Sequence, residues 1–286
     1  MGRFRKILVA YDGSESAKNA LREACRLAKA EQAWIKLLAV VPPYEGDLDL
    51  IAVHNIKEAI EGPGRKLLEE AEKIAEAEEV NVLKDLEQGE PYERIVAVAE
   101  DESCDLIVMG RKGMSAIERE LVGSVTARVI GHTTKDVLVV PEGSRISWEK
   151  ILVATDNSPN CRPAVEHAFD IAKEHGSKIA AVTVVYSNDE FFTVAHQFIE
   201  EMIAKAREKL DELKEEAGSM GLDLVIMVKE GEPHKGIAEA AEEFGATTIV
   251  MGSHGRTGLS RLLMGSVTER VIGFASCPVL VCHLSQ

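Results

Sequence analysis

The chain is written twice, and that limits its fold more than any other feature. RKILVAYDGS, Arg5 to Ser14, returns as EKILVATDNS, Glu149 to Ser158. Gly89-Glu90-Pro91 returns as Gly231-Glu232-Pro233, GSVTARVIG from Gly123 returns as GSVTERVIG from Gly265, and DVLVV from Asp136 returns as PVLVC from Pro278. The first match is offset by 144 residues (149 − 5) and the others by 142 (231 − 89), so a small indel separates two collinear copies. A period of that length is the size of a domain rather than of a solenoid repeat. The 286 residues therefore read as tandem domains, 1–146 and 147–286, with the boundary at the linker Pro141-Glu142-Gly143-Ser144.

Each half alternates short β-branched runs with longer helical patterns. In the first, strands are expected at Lys6–Ala10, Ile35–Val41, Val80–Glu87, Asp105–Met109 and Val137–Val140, with helices near 15–32, 55–79, 91–102 and 123–132. In the second, strands are expected near 150–154, 178–185, 222–229, 247–251 and 279–282. The runs are continuous rather than alternating, the pattern of strands covered on both faces. Strands interleaved with helices imply right-handed β-α-β units and a doubly wound parallel sheet in each half. Ligands of such sheets bind beyond the carboxyl ends of the strands, at the switch point in strand order. The positions to inspect are Asp12 and Asp156 after the first strand, Val40 and Val184 at the end of the second, and the segment after the fourth.

That segment carries G-x2-G-x9-G-[ST] in both halves: Gly110, Gly113, Gly123-Ser124 and Gly252, Gly255, Gly265-Ser266. The first glycine ends a strand and admits a flat ligand to the backbone. The second suits a tight or positive-φ turn. The third opens a helix whose unpaired N–H groups and dipole attract an anion. Ser124 and Thr126, or Ser266 and Thr268, add hydroxyls, and the set suits a polyphosphate. Turn chemistry alone is the competing reading. Asp12 and Asp156 serve as well for helix capping as for ligand contact on residue type alone. The P-loop G-x-x-x-x-G-K-[ST] and the dinucleotide G-x-G-x-x-G are both absent.

The first-strand end V-A-[YT]-D, the glycine segment and the short last strand resemble the universal stress protein family across essentially the whole chain, as two fused domains. The resemblance implies five-stranded parallel sheets of order 3-2-1-4-5, the adenine nucleotide alpha hydrolase-like fold. It associates G-x2-G-x9-G-[ST] with ATP. It implies that Asp12 and Asp156 hold the ribose or adenine side, that Val40 and Val184 offer backbone groups to adenine, and that Gly110 and Gly252 lie against the nucleoside. Gly113, Gly123, Ser124, Val125 and Thr126 then wrap the phosphates in the first half, and Gly255, Gly265, Ser266, Val267 and Thr268 in the second. Mg2+ accompanies the triphosphate, held mainly by phosphate oxygens rather than by protein ligands. Family domains pair through their last strands, so internal pairing of Val137–Val140 with Val279–Cys282 is expected, with homodimerisation of the whole chain as a further step.

The loops differ between halves. Arg111-Lys112 becomes Ser253-His254 and Met114-Ser115 becomes Arg256-Thr257, so two sites of unequal affinity are expected. His254 shows no nucleophile or orienting partner and replaces Lys112, which favours phosphate contact or solvation over catalysis. His234 in a helix's first turn and Cys277 before Pro278 read as structural, and the acidic run Glu69 to Glu79 as a solvated helix face. No catalytic residue and no protein-ligated metal is expected.

A net charge of −15 argues against nucleic acid and anionic membranes as partners, while leaving room for one local anion site. Five cysteines without a C-x-x-C, an N-terminal apolar stretch too short for a signal peptide and no long apolar run point to the cytoplasm. The leading expectation is an ATP-binding regulatory module of the stress response, with an unidentified protein partner. One alternative is a slow ATPase or phosphotransferase using Glu118 or Glu120, whose second-half counterparts are Ser260 and Leu262. The other is a stress interaction protein whose nucleotide is structural.

Overall fold

The computed structural model describes residues 3–43, 56–114, 122–187, 189–255 and 264–283. The chain divides into two compact units, Met1–Ser144 and Arg145–Gln286. The first runs β1 (Lys6–Ala10), α1 (Glu15–Glu31), β2 (Trp34–Val41), α2 (Ile56–Ala77), β3 (Val82–Gln88), α3 (Pro91–Asp101), β4 (Leu106–Gly110), α4 (Ser124–His132) and β5 (Asp136–Val140). The second runs β6 (Lys150–Ala154), α5 (Arg162–His175), β7 (Lys178–Val185), α6 (Asp189–Ser219), β8 (Leu224–Glu230), α7 (Pro233–Phe244), β9 (Thr248–Gly252), α8 (Ser266–Phe274) and β10 (Val279–Cys282).

Within the first unit the strands are parallel in the order β3-β2-β1-β4-β5, and within the second in the order β8-β7-β6-β9-β10. Both are the expected 3-2-1-4-5. The order reverses between β1 and β4, and between β6 and β9, so the crevice at each switch point opens beyond Ala10 and Gly110 in one unit and beyond Ala154 and Gly252 in the other. Val9 sits in register with Leu37 on one side and Val108 on the other, and Ala154 with Val182 and Met251.

The central strands are apolar because both faces are covered: Ile7, Leu8, Val9, Leu106, Ile107 and Val108 are fully buried. The edge strands depart from that expectation. β3, read as one more buried run, carries Lys84, Asp85 and Glu87 and is mostly half-exposed, as is β8. Its charges pair with neighbours, Lys84 with Glu72 at 2.6 Å and Asp85 with Lys36 at 3.0 Å. Charges on an edge discourage pairing with a foreign strand.

α2 continues through Gly62-Pro63-Gly64, losing the hydrogen bond that Pro63 cannot donate. Gly64 lies where a Cβ would strike Val41 and Leu86, so the helix is pressed close on β2 and β3. α1 packs beside α2, α3 beside α4 and α7 beside α8. Among the described residues no helix is long and apolar enough to cross a membrane.

Candidate functional site

Both halves build a similar cradle, whose bonds are shared within the glycine segment and differ at the aspartate. The carboxylate of Asp12 accepts the N–H of Ser14 at 3.0 Å with one oxygen and the N–H of Met114 at 3.2 Å with the other. It thereby ties the loop after β1 to the glycine segment. Asp156 accepts the N–H of Ser158 at 2.9 Å and the Cys161 thiol at 3.1 Å. Ser14, not Asp12, caps α1, accepting the N–H of Ala17 at 3.1 Å. The choice between capping and another task for Asp12 is therefore decided against capping.

The middle glycine of the motif has a steric reason to be glycine. A Cβ at Gly113 would lie 2.6 Å from Asp12 Oδ2, and one at Gly255 would lie 2.7 Å from Asp156 Oδ2. Neither has a left-handed φ, so close approach rather than turn conformation fixes the residue. Gly123 and Gly265 are the N-caps of α4 and α8, and no side chain caps either helix. Their own N–H groups bond Arg111 O at 2.8 Å and Ser253 O at 3.0 Å, folding the segment back on itself. Thr126 and Thr268, both buried, donate to Gly110 O at 3.1 Å and Gly252 O at 3.0 Å, so each hydroxyl ties a helix to a strand end. Ser124 and Ser266 are exposed, while Val125 and Val267 are half-buried. The missing side chain at Gly110 makes room for the backbone of Ser16 and Ala17; at Gly252 the neighbours are Asn160 O and His254 O.

In the second half these residues face one cleft of about 790 Å³. Asp156, Val184, Gly252, Gly255, Gly265, Ser266, Val267 and Thr268, all eight positions singled out in that half, line it. Its floor holds a polar chain that sequence reasoning passed over. Thr183 Oγ1 donates to Thr155 O at 2.9 Å, Asn157 Nδ2 lies 3.3 Å from Thr183 Oγ1, and the N–H of Asn157 donates to Thr155 Oγ1 at 3.0 Å. α6 adds Met202, Lys205 and Lys209 to the wall, also unforeseen. The signal for most of them was available in the repeat, because Thr155, Asn157, Thr183, Lys205 and Lys209 differ in kind from Tyr11, Gly13, Ala39, Pro63 and Leu67. His254 lines the cleft with Nδ1 3.1 Å from Ser253 Oγ. Burial pushes the Cys161 thiol up to about 11, so it lines the site as a neutral group.

In the first half Asp12, Gly113 and Gly123 are likewise brought together, with Thr126 on Gly110, and Val40 lies half-buried near the end of β2 opposite Glu87. Burial lowers the pKa of Arg111, with Glu142 opposing it. Ser115, Glu118, Glu120, Arg256, Thr257, Ser260 and Leu262 lie outside the described residues.

The site is thus a cleft at a sheet's switch point, with a polar floor, an uncapped helix N-terminus on one wall and Lys205, Glu208 and Lys209 on the other. Sequence comparison gives the chain's kinship. The profile of the universal stress protein family matches residues 3–141 and again 147–283. A universal stress protein of Mycolicibacterium smegmatis is 27% identical over 286 residues, covering 96% of either chain. One from Methanocaldococcus jannaschii is 39% identical over 138 residues, which are 47% of this chain and 81% of its own. Among solved structures, a universal stress protein from Archaeoglobus fulgidus matches with a TM-score of 0.74 at 25% identity, covering 98% of this chain and 97% of its own.

Proposed function

Because the chain belongs to the universal stress protein family, with the family profile matched once in each half, we propose that it is a cytoplasmic, ATP-binding regulatory protein of the stress response. Its domains are 1–146 and 147–286, each with a phosphate cradle. One observation carries the reading: the eight second-half positions drawn from strand ends and the glycine motif line a single cleft of about 790 Å³. That volume lies within the roughly 300–1,000 Å³ of small-molecule sites.

The residues fit a nucleotide. The first turn of α8 has no side-chain cap, so its N–H groups suit phosphate oxygens, and the helix dipole favours the same charge. Gly255 and Gly265 place no side chain at either end of that loop, and Ser266 and Thr268 stand at its helix end. Val184 supplies backbone groups at the strand end for adenine, Gly252 lies against the nucleoside, and Asp156 serves the ribose or adenine side. Lys205, Glu208 and Lys209 stand beside the cleft, with Lys209 paired to Glu212. Mg2+ enters with the triphosphate, held mainly by its oxygens. Asp12, Val40, Gly110, Gly113, Gly123, Ser124, Val125 and Thr126 form the corresponding cradle, and the two halves are unequal in affinity.

Titration calorimetry with ATP and Mg2+ on the full chain tests this. Gly265→Val is expected to weaken the tighter site at least tenfold, which is about 1.4 kcal/mol. Unchanged binding in that variant, in a protein with native circular dichroism, would refute the assignment. Equal constants for the two halves would refute their inequality.

A further inference from the structure

The two cradles share a backbone and differ in what stands over it. Tyr11 and Thr155 occupy the same place: their N–H groups donate to the matching carbonyls Leu38 O at 2.9 Å and Val182 O at 3.0 Å. Gly13 and Asn157, two residues on, share a left-handed φ of 84° and 59°. The side chains have diverged. Thr155, Thr183 and Asn157 make the polar floor of the open cleft in the second half. The first half has Tyr11, Ala39 and Gly13 there, and Tyr11 is only 4% exposed. Burial, and then the Glu70 carboxylate, push the phenol's pKa well above its ordinary value.

The helix above has diverged in step. Lys209 and Lys205 line the second-half cleft. The residues 142 positions earlier are Leu67 and Pro63. Leu67 reaches down onto the loop after β1, its Cδ2 2.7 Å from where a Cβ of Gly13 would stand. Lys18 of α1 pairs with Glu70 of α2 at 3.0 Å, fastening the two helices over Tyr11. In the second half the counterpart of Glu70, Glu212, pairs within its own helix with Lys209. Arg162, the counterpart of Lys18, reaches Glu216 instead, one turn farther along α6. α1 and α2 pack along each other, whereas α5 and α6 make no comparable contact among the described residues. The second-half cleft, lined by Cys161 at the foot of α5 and by Met202 to Lys209 of α6, occupies that gap.

We propose that the first half is shut to nucleotides by its own side chains, Tyr11 and Leu67 standing where the second half has Thr155 and Lys209, so that the chain takes one nucleotide, in its second half. This rests on the nucleotide reading given above and takes the inequality of the two halves to its limit. Tyr11 and Leu67 are then specificity-determining residues: they leave the phosphate loop of the first half intact and deny it a nucleoside.

Equilibrium dialysis of the full chain against radiolabelled ATP with Mg2+, up to a hundredfold over the dissociation constant, counts the sites. One nucleotide per chain is expected. Tyr11→Thr with Leu67→Lys is expected to raise the count to two, and Leu67→Ala, which removes bulk without adding charge, to produce a weaker second site. Thr155→Tyr with Lys209→Leu is expected to take the count from one to none. Two nucleotides on the unaltered chain overturn the proposal and leave the nucleotide reading standing. A count that stays at one in both opening variants, each folded by circular dichroism, also overturns it. No nucleotide on the unaltered chain overturns both.

Discussion

The carboxylate of Asp12 holds two stretches of chain together, and the nearness of Asp12 to Gly113 and of Asp156 to Gly255 explains why the motif's middle glycine tolerates no side chain. Gly255→Ala forces its new methyl against Asp156 Oδ2, so the carboxylate must shift and the loop with it. The expected result is at least tenfold weaker ATP binding with global stability lowered by about 1–3 kcal/mol, read by calorimetry and by urea melts. Thr268→Val removes a buried hydroxyl that donates to Gly252 O at 3.0 Å and leaves that carbonyl short of a partner. It is expected to cost about 1–3 kcal/mol in urea denaturation, and Thr126→Val a similar amount, since its bond to Gly110 O is the same. The cysteines give a pH test. Burial raises the thiols of Cys161 and Cys277 to about 11 and that of Cys25 to about 12. Because the thiolate is the nucleophile, alkylation by iodoacetamide at pH 8 is expected to be at least a hundredfold slower at these residues in the native chain than in the denatured one. It should speed up as the pH rises toward 11. The glycines, the aspartates and the hydroxyls were legible because their types and spacing recur. What the sequence could not reveal was their immediate business: that Thr268 serves a strand carbonyl, and that Gly255 yields to Asp156 rather than to a left-handed turn. Both depend on atoms about 100 or 16 residues away in the chain.

Strands and helices came through the sequence because their apolar runs and periodicities are local. β1, β6, β7 and β10 begin and end where the pattern says. β3 and β8 start two residues later than expected, because charged edge strands lack the sharp apolar onset of central ones. The contrast between α2 and α6 was not legible in either helix alone. It depends on which turn of the second helix the first one grips, Glu70 for Lys18 and Glu216 for Arg162. Hydrogen exchange resolves these elements. ATP is expected to slow exchange in the segment Met202–Lys209 and in the first turn of α8, and to leave α2 unchanged. Equal protection of α2 would mean that its grip on α1 is no barrier.

A duplicated chain can let one copy drift while the other keeps a task, and the two halves here differ in the side chains around the cleft. The bonds that fold the glycine segment survive in both units, whereas Tyr11, Ala39 and Leu67 have replaced, or been replaced by, polar counterparts. Ligand that binds only the folded state stabilises it, by about 2.7 kcal/mol at a hundredfold excess over the dissociation constant. ATP with Mg2+ is therefore expected to raise the melting temperature by several degrees, and Gly265→Val to abolish the rise. The measurement that bears most directly on the whole reading is mass spectrometry of small molecules released when the freshly purified chain is denatured. An adenine nucleotide is expected at close to one per chain, falling to a small fraction in Gly265→Val. A chain that releases none, and whose calorimetric titration with ATP is also flat, or a variant that releases as much as the unaltered protein, would contradict it.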